Sequence, residues 1–231
     1  LKYDSDVYVP NAGPDQIFSR GSIYLANLEH AGGCRAAPGA LANLLRTAAS
    51  EIDLPMAIEQ RRVAPLDNDL ANYHLLYMHG RNSFRWLDTE REKMKTYVDR
   101  GGMLFVNAIC ANREFTGAFR QEMQEIFPES SLETIPPDDP IWSEDFGGFE
   151  LDSVTVRIPQ RRTETGPLET VERSGPPQLE GIQIDGRWAV IFSPYDISCA
   201  LERQNSLECE GYDREDAAKI GLNVLLYSLE N

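Results

Sequence analysis

Apolar positions along the chain come as short continuous runs separated by stretches with one apolar stripe. "SIYLANLEH" (22–30) predicts a first strand; after "AGGCRAAPG" a helical stripe follows, with Leu41, Leu44, Leu45 and Ala48 on one side and Pro38 near the first turn. "MAIEQRRV" (56–63) predicts a second, more exposed strand, and "HLLYMHG" (74–80) a third that ends on His79-Gly80. Thr89 and Glu92 stand at capping-box spacing before a helix that turns Met94, Tyr97 and Val98 inward, and Gly101 supplies its left-handed end. "MLFVNAI" (103–109) is almost unbroken apolar, as expected of a strand covered on both faces. Phe115, Phe119, Met123 and Ile126 then recur at helical spacing until Pro128.

From 128 to 180 the texture becomes rich in Pro, Gly, Thr and acids, which predicts long loops flanking one strand at 149–158. "EGIQIDGRWAVIFSP" alternates around Asp185-Gly186, a two-residue hairpin signal. A last helix, about 213–227, presents Ala217, Ile220, Val224 and Tyr227 inward. Strands alternating with helices predict a three-layer α/β sandwich on a mostly parallel sheet, with the hairpin as an antiparallel element toward one edge. The expected organisation is one α/β domain over 1–231, with 1–21 as an N-terminal extension and 128–180 as a long loop insertion. Ligands of such sheets bind beyond the carboxyl ends of the strands, so "AGGCR", "HGRNSF", "CANRE" and "PYDISCALE" should share one rim.

Composition narrows the partners. With 22 Lys and Arg against 37 Asp and Glu the formal charge is -15, which repels phosphate backbones and argues against nucleic acid. Apolar residues, 42% of the chain, suffice for a sizeable core, yet no run approaches the roughly 18 apolar residues of a membrane span. The chain starts at Leu1 without a leader pattern, the expectation for a processed chain or an excised segment.

Cys110 stands between a buried strand and a helix, where a nucleophile would be displayed on a sharp turn. Ala108 and Asn112 occupy the flanking places at which such an elbow prefers glycine. His30, His74 and His79 are the histidines, and only His79 falls at a strand end as a base for that thiol, with Glu114 or Asp196 to orient it. The competing reading makes Cys110 a partly buried inert thiol and His79 a hydrogen-bonded strand terminus. An anion site would use Gly32, Gly33 and the first helix with Arg35, Arg81 and Arg113, while Asp196 and Ser198 could contact ligand or cap their turn. Zinc held by His79, Cys110, Cys199 and Cys34 ranks below a disulfide such as Cys199 with Cys209, so neither a metal nor another cofactor is assigned.

The segments from "YMHGRNSFRWLDTEREKMKTYVDRGGMLFVNAICANREFTGAFRQEMQEIFP" through "PPDDPIW", "SPYDISCALE" and "DAAKIGLNVLLYSL" resemble the bacterial family DUF4159, a domain of unknown function, over about residues 22–229. The resemblance implies a flavodoxin-like core of the class I glutamine amidotransferase-like kind, no established activity, and a setting in exported or membrane-anchored bacterial chains. The family often carries Asp-His-Pro where this chain has Asp138, Asp139 and Pro140, which weakens His-dependent chemistry. The resulting expectation is a non-catalytic module of an exported, periplasmic or envelope-associated protein, binding a small molecule or protein partner at Gly33, Arg35, His79, Arg81, Arg113, Asp196 and Ser198. The alternative is a cysteine-dependent hydrolase or amidotransferase relative with Cys110 as nucleophile, His79 as base and Glu114 as orienter.

Overall fold

The computed structural model describes residues 22–51, 57–204 and 206–230, so the expected extension at 1–21 and Met56 of the second strand lie outside the described residues. Chain order is β1 (Ser22–Leu28), α1 (Ala40–Glu51), β2 (Ala57–Val63), β3 (Leu75–Gly80), α2 (Asp88–Asp99), β4 (Met103–Ala108) and α3 (Arg113–Ile126). Then come β5 (Glu133–Thr134), β6 (Val154–Arg161), β7 (Leu168–Gly175), β8 (Glu180–Ile184), β9 (Arg187–Ser193), α4 (Ser198–Leu201), β10 (Gly211–Tyr212) and α5 (Arg214–Glu230).

Among the described residues, one sheet has the order β2-β1-β3-β4-β9-β8-β5. β2, β1, β3, β4 and β9 are parallel, and β8 returns antiparallel beside β9 toward the edge closed by β5. Asp185 (φ 51°) and Gly186 (φ 81°) turn the β8–β9 hairpin with both central residues left-handed, matching the twist of the strands they join.

Side-chain alternation on the strands divides the core into two layers. Leu25, Tyr77, Phe105 and Ile191 pack with Leu41, Leu44, Ile220 and Val224 of α1 and α5. Ala26, Leu76, Met78, Val106 and Phe192 face the other way, onto Met94, Val98, Phe119 and Met123 of α2 and α3. Helices on both sides explain why β3 and β4 are buried at every position and read as continuous apolar runs.

Two local expectations are corrected. α2 starts one residue before Thr89: the Leu87 N–H donates to Glu90 Oε2 at 2.7 Å, so Glu90, not Glu92, reaches back to the helix start. The segment expected as loop after 158 carries β7, which pairs antiparallel with β6 along eight residues, while β10 closes the other side of this second sheet. β7 has no buried position and Val171 is 43% exposed, so no apolar alternation marks it.

Close backbone approach fixes Gly80 at the end of β3. A Cβ there would lie 2.2 Å from the Phe115 ring and 2.7 Å from the Gly32 carbonyl oxygen. Gly80→Ala is therefore expected to cost about 2–3 kcal/mol, read as a lower urea midpoint at constant slope; an unchanged midpoint would contradict this packing.

Candidate functional site

Because β1, β3, β4 and β9 run parallel, the loops after them emerge at one end of the sheet, and backbone and side-chain bonds stitch these loops together. The Arg81 and Asn82 N–H groups donate to the Gly32 carbonyl at 2.9 and 3.0 Å, joining the loops after β1 and β3. Asn107 is fully buried near the end of β4; its Oδ1 accepts from the N–H groups of Ile197 (3.3 Å) and Ser198 (3.2 Å), and its Nδ2 donates to the Tyr77 hydroxyl at 2.9 Å. Tyr77 also shares a 2.7 Å hydrogen bond with Ser198, so Ser198 is a buried tether between β3 and α4.

β4 ends in a tight turn. Cys110 (φ 51°, ψ 37°) and Ala111 (φ 51°) are both left-handed without being glycine, a strained pair that needs outside support. That support is the buried Asp196 carboxylate, which accepts the Cys110 N–H at 2.5 Å on Oδ2 and the Cys199 N–H at 2.7 Å on Oδ1. Asn112 then caps α3 by accepting the Phe115 N–H at 2.9 Å. The strand-to-helix elbow at Cys110 is thus held from a loop far away in sequence.

Three sulfur atoms meet there. Cys110 Sγ is 2.6 Å from Cys209 Sγ, the Cys209 thiol donates to Asp196 Oδ2 at 3.3 Å, and the ligand atoms of Cys110, Asp196, Cys199 and Cys209 all lie within 4.8 Å of one another. Thiol donors from Cys199 and Cys209 hold Cys110, the most exposed of the three, well below the usual thiol range. Hydrogen bonding with Cys110 pushes the thiols of Cys199 and Cys209 up, and burial adds to it. Burial likewise pushes the Asp196 carboxyl up to about 6, against the two N–H groups that favour its ionised form.

The other expected residues separate into different places. His79 is buried and its Nε2 accepts the Ala37 N–H at 3.3 Å, while its carbonyl bonds the His30 ring at 3.0 Å. Among the described residues no hydrogen bond joins His79 to Cys110, nor Glu114 to His79, and Glu114 is exposed on the first turn of α3. Arg35, Arg81 and Arg113 are exposed; Arg35 lies 3.6 Å from Glu29, and neither Arg81 nor Arg113 forms an ion pair among the described residues. Arg81 crosses Gly33 (φ 90°), where a Cβ would meet the arginine Cγ at 3.0 Å. Cys34 is half-buried and outside the sulfur cluster. The Cys199–Cys209 disulfide weighed as one option is not formed, since all four cysteines are free, and a sulfur contact of 2.6 Å joins Cys110 and Cys209 instead. Asp139 caps the short 3-10 turn Pro140–Trp142 and accepts the Trp188 indole N–H at 2.9 Å.

Sequence reasoning missed Asn27. Among the described residues, this buried residue near the end of β1 has no hydrogen-bond partner for either side-chain polar atom, and neither does Nδ1 of His79 at the end of β3. Asn27 follows Leu25, and His79 follows Tyr77, on the sheet face toward α1.

Burial, helped by the charges of neighbouring His30 and Arg62 and opposed by the Cys34 backbone, lowers the His79 pKa to about 4, so the ring is neutral at pH 7. The unfolded chain, titrating near 6.5, binds the extra proton between those values, so this contribution to stability is present above 6.5 and fades as pH falls toward 4. Relative to His79→Asn, the stability of the unsubstituted protein should fall by about 2.5 kcal/mol between pH 7 and pH 4.5. Urea unfolding of both proteins at the two pH values reads it, and a gap that does not narrow would contradict it.

A mostly parallel α/β sheet with helices on both faces, carrying its polar and sulfur groups at the carboxyl rim, is the class of protein these features define. The family model of DUF4159, a domain of unknown function, matches residues 24–229, and the chain belongs to that family. Among solved structures, a ThuA-like protein from Bacteroides uniformis aligns over 93% of each chain at 10% identity with a TM-score of 0.31, a likeness too low to carry argument. No curated protein matches the chain.

Proposed function

We propose that this chain is a flavodoxin-like, class I glutamine amidotransferase-like domain that acts as a non-catalytic binding module. Its ligand would be a small molecule or protein group bearing a carboxylate or phosphate, held at the carboxyl ends of β1 and β3. The strand order β2-β1-β3-β4-β9 supports the flavodoxin-like reading, because it reverses direction between β1 and β3, where such sheets take their ligands. The observation that carries the proposal is the pair of buried side chains at that crevice, Asn27 and His79: among the described residues neither polar atom of the Asn27 side chain has a hydrogen-bond partner, and neither does Nδ1 of His79. Burying such atoms unpaired is costly, and a polar ligand would satisfy them. Gly33 and the overlying Arg81 border the same place, and Arg113 adds a second exposed cation at the rim. The family resemblance supports an exported or envelope-associated setting.

The test is thermal unfolding in inorganic phosphate and in chloride at matched ionic strength. Phosphate is expected to raise the midpoint, and the Arg81→Ala/Arg113→Ala variant to lose that rise; equal midpoints in the two salts would contradict the proposal. The hydrolase alternative draws on the low-pKa thiol of Cys110, but His79 is engaged with Ala37. Rapid alkylation of Cys110 would follow from its ionisation alone. Turnover of ester or amide substrates that vanishes in Cys110→Ser would be needed to favour the alternative.

A further inference from the structure

The sulfur cluster at β4 and α4 is separate from the β1–β3 crevice and asks for its own explanation. We propose that Cys110, Asp196, Cys199 and Cys209 bind one zinc ion. The four residues come from the turn after β4, the loop and first turn of α4, and the loop before β10, and they bring three thiols and one carboxylate oxygen within 4.8 Å of one another. A disulfide would use two of the sulfurs and leave the third thiol and the carboxylate unexplained. Zinc uses all four, since thiolate and carboxylate are among its preferred donors.

A second observation points the same way. Asp196 is 1% exposed, and no ion pair among the described residues reaches it. Its oxygens take two backbone N–H groups and a thiol, which leaves lone pairs on a buried carboxylate without a countercharge. Buried carboxylates are ordinarily paired or metal-bound. Zinc–sulfur bonds of about 2.3 Å place tetrahedral sulfurs roughly 3.8 Å apart. The 2.6 Å separation of Cys110 and Cys209 must therefore open on binding, by roughly 1 Å. Four protein ligands leave no open coordination position, so the ion would be structural: it would pin the strained Cys110 turn to α4 and to the loop before β10.

Cobalt(II) serves as the spectroscopic probe. The reduced chain, freed of metal by a chelator, is titrated with cobalt and then with zinc. One cobalt per chain is expected, with the charge-transfer and visible absorption of a tetrahedral thiolate complex, displaced stoichiometrically by zinc. Cys209→Ser should weaken binding on the order of 100-fold or more, and Cys34→Ser should leave it unchanged. Should Cys209→Ser fail to fold by circular dichroism, half-exposed Cys110→Ser carries the same expectation. No thiolate-cobalt absorption in the folded, reduced chain would overturn the proposal, as would loss of that absorption in Cys34→Ser or its full retention in a folded ligand variant.

Discussion

Asn107→Leu is expected to lower stability by about 3 kcal/mol, because it removes the acceptor for two buried N–H groups while keeping the branched shape of the side chain, and its bulkier methyls add crowding. Ile197 and Ser198 lose their partner, and Tyr77 keeps only its bond to Ser198. The damage should concentrate on the loop that carries Asp196 and Cys199. Urea unfolding gives the midpoint shift, and alkylation of Cys199 and Cys209, both buried in the native chain, should accelerate in the variant. A loss below about 1 kcal/mol with unchanged alkylation would mean that the rim does not depend on Asn107.

Arg91→Ala should be still more costly. The Arg91 guanidinium grips Glu122 through Nε (2.8 Å) and a terminal nitrogen (2.9 Å), and the Glu122 side chain is 3% exposed. Removing the arginine leaves a buried carboxylate without its partner, at about 3–5 kcal/mol. Replacing both residues by leucine should recover much of that loss, because the desolvation of both charges disappears together. Urea midpoints for the single and double variants measure it; a double variant no more stable than Arg91→Ala would contradict the assignment. This pair joins α2 to α3, the helix into which the Cys110 turn leads.

Much of the fold was legible because its cause is local. β3 and β4 announce themselves as apolar runs, Gly101 ends α2 at φ 99°, and Asp185-Gly186 turns the hairpin as its residue types require. β7 was not legible, since a ribbon without a buried row leaves no period to read. The candidate site was legible only as an address. The four expected loops do share one rim, but the roles within it depend on contacts between distant residues. Cys110 and Ala111 are left-handed without glycine because Asp196, 86 positions beyond Cys110, accepts the Cys110 N–H. Cys110 and Cys209 are separated by 99 positions, so no short motif announces their contact. Asp-x-x-Cys at Asp196 and Cys199 was the one local signal, and it reads equally well as a turn cap.

The sulfur chemistry also bears on compartment. In a reducing setting the thiols stay available for metal, whereas in an oxidising one the nearest pair can close as a disulfide. The central claim is that the turn after β4 and the loop before β10 meet at one point of the carboxyl rim. Mild oxidation of the metal-free chain followed by peptide mapping tests it most directly. The account predicts a Cys110–Cys209 disulfide as the main product; products in which Cys110 forms no bridge to Cys209, or a main product through Cys34, would contradict it.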